Sequence, residues 1–264
     1  MRVAVIHEWL ATYGGSERVT EEILGLFPGA DLFVLVDFYP EDLRDFLVGT
    51  RITTSFIQRL PLARRHFRWY LPLMPLAVEQ FDLSAYDVII SNSHAVAKGV
   101  VTHPHQVHIS YVLTPMRYAW DLQNAYLGTS GKKRRWKSGS TRVLMHYLRV
   151  WDARTANGVD RYLAPSKFVA RRINKAYARH SNVVYPPVDV DRFAVGAKKD
   201  SYYISVSRFV AYKRIDLLIE AFAKMPARKL LLVGDGPEWK ALKVKAPPNV
   251  KLLGRLSFPR CITF

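Results

Sequence analysis

Short apolar runs alternate with segments of helical periodicity along most of the chain. The first apolar run, Arg2–His7, leads through a Gly14-Gly15 turn into a helical segment at Ser16–Leu26, for which Ser16 is the predicted N-cap. The next strands are predicted at Asp31–Asp37, Asp87–Ser91, His108–Leu113, Arg161–Ala164 and Asn182–Tyr185, with a helix at Lys167–Tyr177. Strands that alternate with helices predict parallel βαβ units.

The alternation stops at Pro186-Pro187 and starts again near residue 201. After this break, strands are predicted at Ser201–Val206, Lys229–Val233 and Val250–Leu253, and helices at Ile215–Lys224 and Glu238–Lys245. We therefore predict an α/β protein with a first domain at residues 1–187, a linker at 188–200 and a partial second domain at 201–264.

The charge is unevenly distributed along the chain, and its excess of basic residues favours an anionic partner. The net charge of the 264 residues is +17, yet residues 1–100 carry 9 basic and 12 acidic side chains. Residues 101–264 carry 30 basic and 10 acidic side chains. A field of that sign attracts nucleic acid, anionic lipid headgroups or phosphorylated small molecules, and charge alone does not choose among them.

The composition also bears on compartment and on metal chemistry. Cys261 is the one cysteine, so the chain has no internal disulfide and no metal cluster built on thiolates. No apolar run reaches the ~18 residues that a membrane-spanning helix needs, and the first apolar run is too short for a secretory signal. The sequence predicts a cytoplasmic protein, with a peripheral position on the inner face of the plasma membrane as an open alternative.

Three turns carry candidate chemistry. Arg208 and Lys213 follow the first strand of the second domain, at the sheet edge where ligands bind in open α/β folds. Two such cations can clamp a diphosphate and stabilise the charge that builds on it as a bond breaks; otherwise they are solvated surface charges. Gly14-Gly15 either faces a phosphate with backbone amides or is simply a tight turn. Gly234–Pro237 is, on local grounds, a plain turn.

Taken together, these motifs resemble glycosyltransferase family 4. SRFVAYKRIDLLIEAF followed by LLLVGDGPE resembles the donor-binding domain of that family. The first domain agrees through GGSERV, SNSHAVAKGV, YVLTPMRYAWDLQ, APSKFVARRI and VVYPPVD. The resemblance covers Met1 to Leu256 and is strongest to the sub-group that makes bacterial surface polysaccharides, often from mannosyl donors.

The resemblance implies a GT-B fold, with two Rossmann-like doubly wound parallel sheets, the second of which is incomplete here. It implies a retaining transfer of a hexose, of mannose type, from a GDP- or UDP-sugar to a lipid-linked glycan. It implies no bound metal and no cofactor besides the donor substrate. Nucleic acid is not an expected partner, because no recognised binding module accompanies the charge.

Site residues follow from the same resemblance. Arg208 and Lys213 match the pair that holds the donor diphosphate, and the loop with Gly14 and Gly15 matches the loop that faces the donor phosphates. Positions that match the acceptor side are Asn92, Ser93, His94, Arg117 and Tyr118. His94 is grouped with Arg208 and Lys213 as a catalytic candidate.

The sequence departs from the family in two ways. Leu113 stands where the family has a histidine, and leucine can neither donate a hydrogen bond nor move a proton. Either His94 or His108 carries the polar role, or activity is impaired. The family's later motif, two glutamates around a Phe-Gly, is also absent, and SFPRCITF does not continue the family pattern. The expectation is a truncated chain.

Two basic segments leave an alternative function open. Lys132–Lys137 and Arg59–Tyr70 mix cations with aromatic residues, which suits an anionic membrane surface, although solvated loops have the same composition. With Leu113 and the missing motif, they favour a non-catalytic remnant that binds acceptor lipid or anionic membrane as the alternative to the enzyme. A general polyanion-binding protein is the third interpretation.

Overall fold

The computed structural model describes residues 1–121, 135–192 and 200–256. The chain divides into two compact units, Met1–Pro187 and Val188–Phe264. Parts of three sequence predictions lie outside the described residues: residues 132–134 of the basic segment Lys132–Lys137, most of the linker, and the tail that contains Cys261. The side chains of residues 135–138 are not described either.

The first unit is built on a seven-stranded parallel sheet, as the strand–helix alternation predicts. Its strands are β1 Val3–Leu10, β2 Asp31–Asp37, β3 Ile52–Thr54, β4 Val88–Ser93, β5 Val107–Val112, β6 Arg161–Ala164 and β7 Asn182–Val183. The spatial order is β3-β2-β1-β4-β5-β6-β7. The chain therefore moves outward in one direction from β1 and in the other from β4, so the strand order reverses between these two central strands.

Helices cover both faces of this sheet, which explains why its central strands are almost continuously apolar. The described α-helices are α1 Gly15–Leu26, α2 Ala63–His66, α3 Met74–Glu79, α4 Arg135–Thr155 and α5 Lys167–Tyr177. Ile6 and Leu35 belong to the core on one face of the sheet, and Val5 and Val34 to the core on the other. No helix among the described residues is long and apolar enough to cross a bilayer.

The predicted N-cap of α1 was wrong, and the strand β3 and the helices α2, α3 and α4 were not predicted. The N-cap of α1 is Gly14, without a side-chain cap, and the Ser16 hydroxyl instead donates to Oε2 of Glu17 at 2.9 Å. The helices α2 and α3 were not predicted, because arginines and prolines interrupt the periodicity of residues 59–79. Tertiary packing forms them nonetheless, since Ala63 of α2 is buried and Met74 and Ala77 of α3 belong to the core on one face of the sheet.

The second unit contains a three-stranded parallel sheet of order β10-β9-β8. Its elements are β8 Tyr202–Val206, α6 Ile215–Ala223, β9 Lys229–Val233, α7 Trp239–Lys245 and β10 Val250–Gly254, each within one residue of its predicted bounds. Phe209, Ile219 and Leu232 are among the buried residues of its core. The α/β class and the smaller second parallel sheet are confirmed.

Candidate functional site

The carboxyl ends of β1 and β4 meet at the reversal of strand order, the usual ligand position in an open parallel sheet. The two strands are in register, with His7 opposite Asn92. The residues that follow this pair, Glu8 on β1 and Ser93 and His94 at the end of β4, therefore come together at one edge. The first unit's polar site is built from these side chains.

Glu8 is fully buried and organises the turn after β4. Its Oε1 accepts backbone N–H groups from His94 at 2.8 Å, Ala95 at 2.7 Å and Ala97 at 3.3 Å, and the Ser93 hydroxyl at 3.2 Å. Its Oε2 lies 2.9 Å from Nδ1 of His94. One carboxylate thus fixes both the backbone of the turn and the orientation of the imidazole.

The charges of this pair stabilise each other. Burial alone would raise the pKa of Glu8, but the neighbouring His94, with His7 and the Ala95 amide, lowers it to about 2. Burial would lower the pKa of His94, yet the Glu8 carboxylate raises it overall. A quarter of the His94 side chain is exposed, and its ring stands edge-on to Trp9 at 4.9 Å. Because Nδ1 faces Glu8, Nε2 is the ring nitrogen outside this pair.

A second carboxylate–imidazole pair lies beside the first, at the glycine turn. Nε2 of His7 is 3.4 Å from Oε1 of Glu17 in the first turn of α1, and the His7 and His94 rings are 6.5 Å apart. Burial would raise the pKa of Glu17, but the hydrogen bond and charge of His7 lower it. A Cβ added at Gly14 would sit 3.1 Å from Oε2 of Glu17. The turn is therefore bounded by the Glu17 carboxylate, which is paired with His7.

Asn92 and Ser93, expected on the acceptor side, are buried and bond within the unit. Nδ2 of Asn92 donates to the Ser16 carbonyl at 2.7 Å and to Oγ1 of Thr20 at 2.9 Å, which ties α1 to β4. Ser93 donates to Glu8. Both side chains position neighbouring elements, and their assignment to the acceptor side stays a prediction.

The remaining acceptor-side candidates are half-buried and lie after β5. Tyr118 packs against the core, and the charge of Arg117 is close enough to His94 to oppose the rise in the pKa of that imidazole. Leu113 follows β5 directly, and its N–H donates to the Ser93 carbonyl at 2.8 Å. The backbone at this position thus joins the turn after β4, although the side chain has no polar group.

The two histidines considered as replacements for the missing one have different surroundings. His108 is fully buried near the start of β5, where Nε2 bonds the Ser91 hydroxyl at 2.9 Å, and burial lowers its pKa to about 4. His94 lies at the opposite, carboxyl edge with part of its ring exposed. Of the two, His94 is therefore the partly exposed one, at the edge where ligands bind in open parallel sheets.

A buried ion pair anchors the turn that carries His94. Nζ of Lys98 lies 2.9 Å from Oδ1 of Asp152 on α4, and both side chains are inaccessible to solvent. Oδ2 of Asp152 accepts from Nε1 of Trp120 at 2.8 Å and from the hydroxyl of Tyr177 at 2.9 Å. Burial lowers the pKa of Lys98 although Asp152 opposes this. The turn after β4 is thus fixed from Glu8 on one side and from α4 on the other.

Sequence reasoning missed Glu8, His7 and Glu17. The detectable signal was the His-Glu dipeptide inside an otherwise apolar strand, because a buried ionisable residue near the carboxyl end of a strand requires a partner. Glu17 was hidden in a helix that is amphipathic anyway.

In the second unit, Arg208 and Lys213 are exposed on the segment that follows β8, at the carboxyl edge of its sheet. Within the described part of the chain, neither side chain forms an ion pair, and Lys213 lies 5.9 Å from the centre of the Tyr212 ring. The neighbouring Arg214 is different, since it is paired with Asp216 at 3.0 Å. Two cations at a sheet edge thus carry charge that no carboxylate of the described residues neutralises.

The Gly234–Pro237 turn has a structural role that its local sequence did not indicate. A Cβ at Gly234, whose φ is +140°, would lie 1.8 Å from the Ser207 carbonyl oxygen. A Cβ at Gly236 would lie 2.3 Å from the Phe209 carbonyl oxygen. The turn therefore packs directly under the loop that contains Arg208, and the Phe209 N–H donates to the Asp235 carbonyl at 2.9 Å. The two glycines set the position of Arg208.

No cluster of three or more histidine, cysteine, aspartate or glutamate side chains suited to a metal ion occurs in residues 1–121, 135–192 and 200–256.

Each of the two units is matched by the profile of a known protein family. The family profile of Glycosyltransferase Family 4 matches residues 13–192, and that of Glycosyl transferases group 1 matches residues 188–261. No curated protein sequence matches the chain.

Solved glycosyltransferase structures have a similar fold. Anabaena HepE in complex with UDP matches over 99% of this chain and 71% of its own, with 15% identity and a TM-score of 0.64. The same protein in complex with UDP-glucose matches over 97% of this chain and 70% of its own, with 15% identity and a TM-score of 0.62. A mutant of S. aureus TarM in complex with fondaparinux, α-GlcNAc-glycerol and UDP matches over 99% of this chain and 79% of its own, with 12% identity and a TM-score of 0.56. At these identities the likeness concerns the fold.

Proposed function

The chain belongs to glycosyltransferase family 4, with a fold of the GT-B type, and we propose that it moves a mannose-type hexose from a GDP- or UDP-sugar to a lipid-linked glycan. The similar structures support a nucleotide-sugar donor and a glycan acceptor, since HepE is seen with UDP-glucose, and TarM with UDP and fondaparinux. The mannose-type sugar and the lipid-linked acceptor rest on the sequence resemblance. The proposal places the reaction at the inner face of the plasma membrane, where a lipid-linked acceptor meets a soluble donor.

On the donor side, Arg208 and Lys213 hold the leaving diphosphate. The observation that carries this assignment is their exposure at the carboxyl edge of β8 without an ion-pair partner among the described residues. As the bond from the anomeric carbon to the diphosphate breaks, negative charge builds on that group, and fixed cations lower the barrier. The resemblance also assigns the loop with Gly14 and Gly15 to the donor phosphates, and the His7–Glu17 pair lies beside that loop.

On the acceptor side, His94 binds the hydroxyl that is glycosylated. Glu8 holds the ring through Nδ1 and favours the protonated form, so Nε2 donates a hydrogen bond to the acceptor oxygen. That oxygen forms its bond to the anomeric carbon, with retention of configuration, and its proton leaves with the diphosphate. His94 supplies here the polar contact that Leu113 cannot make.

A transfer assay tests the proposal. The full chain is incubated with GDP-mannose or UDP-glucose and a membrane extract that contains lipid-linked glycans. The Arg208→Ala/Lys213→Ala variant should lose at least about a hundredfold in rate, while Lys224→Ala, an exposed cation at the other end of α6, should keep it. Unchanged transfer by the double variant would refute the donor assignment. Absence of transfer by a folded chain that still binds lipid would favour the non-catalytic interpretation, which Leu113 also supports.

A further inference from the structure

One face of the first unit combines exposed arginines with exposed large apolar side chains. It is formed by Leu62, Arg64, Arg65, Trp69, Leu73 and Leu76, and we call it the basic–aromatic face. We propose that this face docks on the surface of an anionic bilayer and brings the acceptor side of the site to the membrane. The inference deepens the proposed function, on which it rests, by naming the surface through which a lipid-linked acceptor is reached.

The segment that carries this face is amphipathic although it is not a regular helix. Its inward residues, Ala63, Phe67 and Met74, are almost completely buried in the core. Its outward residues are large and apolar yet exposed, by 69% at Trp69 and 63% at Leu62. Large apolar side chains that are exposed as a group mark an interaction site, whereas single exposed ones are common on any protein surface.

The backbone holds Leu62 outward at a conformational cost. Its φ is +58°, a left-handed conformation that branched residues rarely adopt. The Leu62 carbonyl accepts the N–H groups of Arg65 at 3.0 Å and His66 at 2.8 Å, which stabilises this tip. Such strain concentrates at functional positions, and here it displays an apolar side chain.

The charge of the segment selects an anionic partner. Residues 59–78 contain four arginines and no aspartate or glutamate. The Trp69 ring stacks on His66 with 4.0 Å between the ring centres, so an amphipathic aromatic ring stands beside the cations. Tryptophan at headgroup depth, leucine below it and arginine against lipid phosphate match the layers of a bilayer surface. A polyphosphate or nucleic acid would leave the leucines without a partner.

Arg68, which lies in the same segment as the basic–aromatic face, contacts the acceptor side of the site. The Arg68 guanidinium lies 4.6 Å from the centre of the Phe67 ring and 5.7 Å from that of Trp9. Trp9 in turn contacts the His94 ring at 4.9 Å. Arg68 directly precedes Trp69 of the face, and only the Trp9 side chain lies between Arg68 and the candidate acceptor-binding His94, which suits an acceptor that stands in the membrane.

Vesicle co-sedimentation of the full chain tests the proposal. Vesicles of phosphatidylcholine alone are compared with vesicles that also contain phosphatidylglycerol, and binding is expected only to the second. Leu62→Ala/Trp69→Ala and Arg64→Gln/Arg65→Gln should each weaken binding by about tenfold or more. Phe168→Ala and Arg171→Gln/Lys175→Gln change equally exposed residues of α5 and should leave it unchanged.

Three results would overturn the membrane face: equal binding to both vesicle types, equal losses in the α5 controls, or salt-sensitive binding to polyphosphate with none to vesicles. Titration of the same variants with UDP and GDP separates this proposal from the proposed function. If the chain binds UDP or GDP but no vesicles, the membrane face is rejected and the donor assignment stands. Vesicle binding without nucleotide binding rejects the donor assignment and leaves the face standing.

Discussion

Oε2 of Glu8 and Nδ1 of His94 lie 2.9 Å apart at the carboxyl ends of the two central strands. The relationship joins sheet topology to chemistry, because the reversal of strand order brings a buried carboxylate to a partly exposed imidazole. Three backbone amides hold the other carboxylate oxygen. The imidazole is thus held in one orientation, which is the condition that the proposed hydrogen bond to an acceptor requires.

Replacing Glu8 with Gln tests this relationship. The amide oxygen can still accept the backbone N–H groups, but the charge that raises the pKa of His94 is lost. We expect that pKa to fall, observed by NMR titration of the His94 ring, and transfer to fall by at least about tenfold. The exposed His103 and His105 serve as internal controls. An unchanged titration of His94 would show that the ion pair does not control its protonation.

The same variant has a defined pH dependence of stability. The contribution of Glu8, whose pKa is lowered from 4.5 to about 2, is present above 4.5 and is lost as pH falls toward 2. The contribution of His94, whose pKa is raised from 6.5, is present below 6.5 and is lost as pH rises through its folded value. Glu8→Gln should therefore destabilise most near pH 5–6.5 and less in alkaline buffer, by urea unfolding.

The buried His108 should make the fold less stable in acid, which is the reverse of the pH dependence that His94 contributes. Its pKa falls from 6.5 to about 4 on burial, so the unfolded chain binds more protons between these values and stability rises with pH across them. The free energy of unfolding should therefore fall by on the order of 3 kcal/mol as pH falls through this range. His108→Gln, which can still bond Ser91, should flatten the difference in unfolding free energy between pH 4 and 6.5. An identical slope in the variant would contradict the buried neutral imidazole.

The Lys98–Asp152 pair should matter far more than exposed pairs. Lys98→Met leaves the Asp152 carboxylate buried with hydrogen-bond donors but no cation, and we expect a loss of about 3–5 kcal/mol in unfolding free energy. Glu41→Gln removes the exposed partner of Arg44, at 3.8 Å, and should change stability hardly at all. Equal effects of the two changes in chemical denaturation would reject the anchoring role of the buried pair.

Gly234→Ala tests the support of the Arg208 loop. The added methyl group would overlap the Ser207 carbonyl, and alanine tolerates a φ of +140° poorly. We expect the second unit to lose at least about 2 kcal/mol of stability and nucleotide affinity to fall with it. Gly25→Ala in α1, where a Cβ meets nothing within 4 Å, is the control. Differential scanning calorimetry of both variants gives the comparison.

The sequence predicted the elements of this fold better than the contacts of its site. Strands such as Asp31–Asp37 have their predicted bounds because buried parallel strands are apolar throughout. Arg208 and Lys213 could be placed at a sheet edge because a strand and a helix flank them. Glu8 could not be paired with His94, because 86 positions separate them and only the order of the strands makes them neighbours.

The most direct test of the account is calorimetric titration of the full chain with UDP and GDP, and with UMP and GMP. If Arg208 and Lys213 hold the donor diphosphate, one diphosphate binds, its monophosphate binds more weakly, and Arg208→Ala/Lys213→Ala removes most of that difference, whereas Lys224→Ala does not. A double variant that binds the diphosphate as tightly as the unaltered chain would contradict the account.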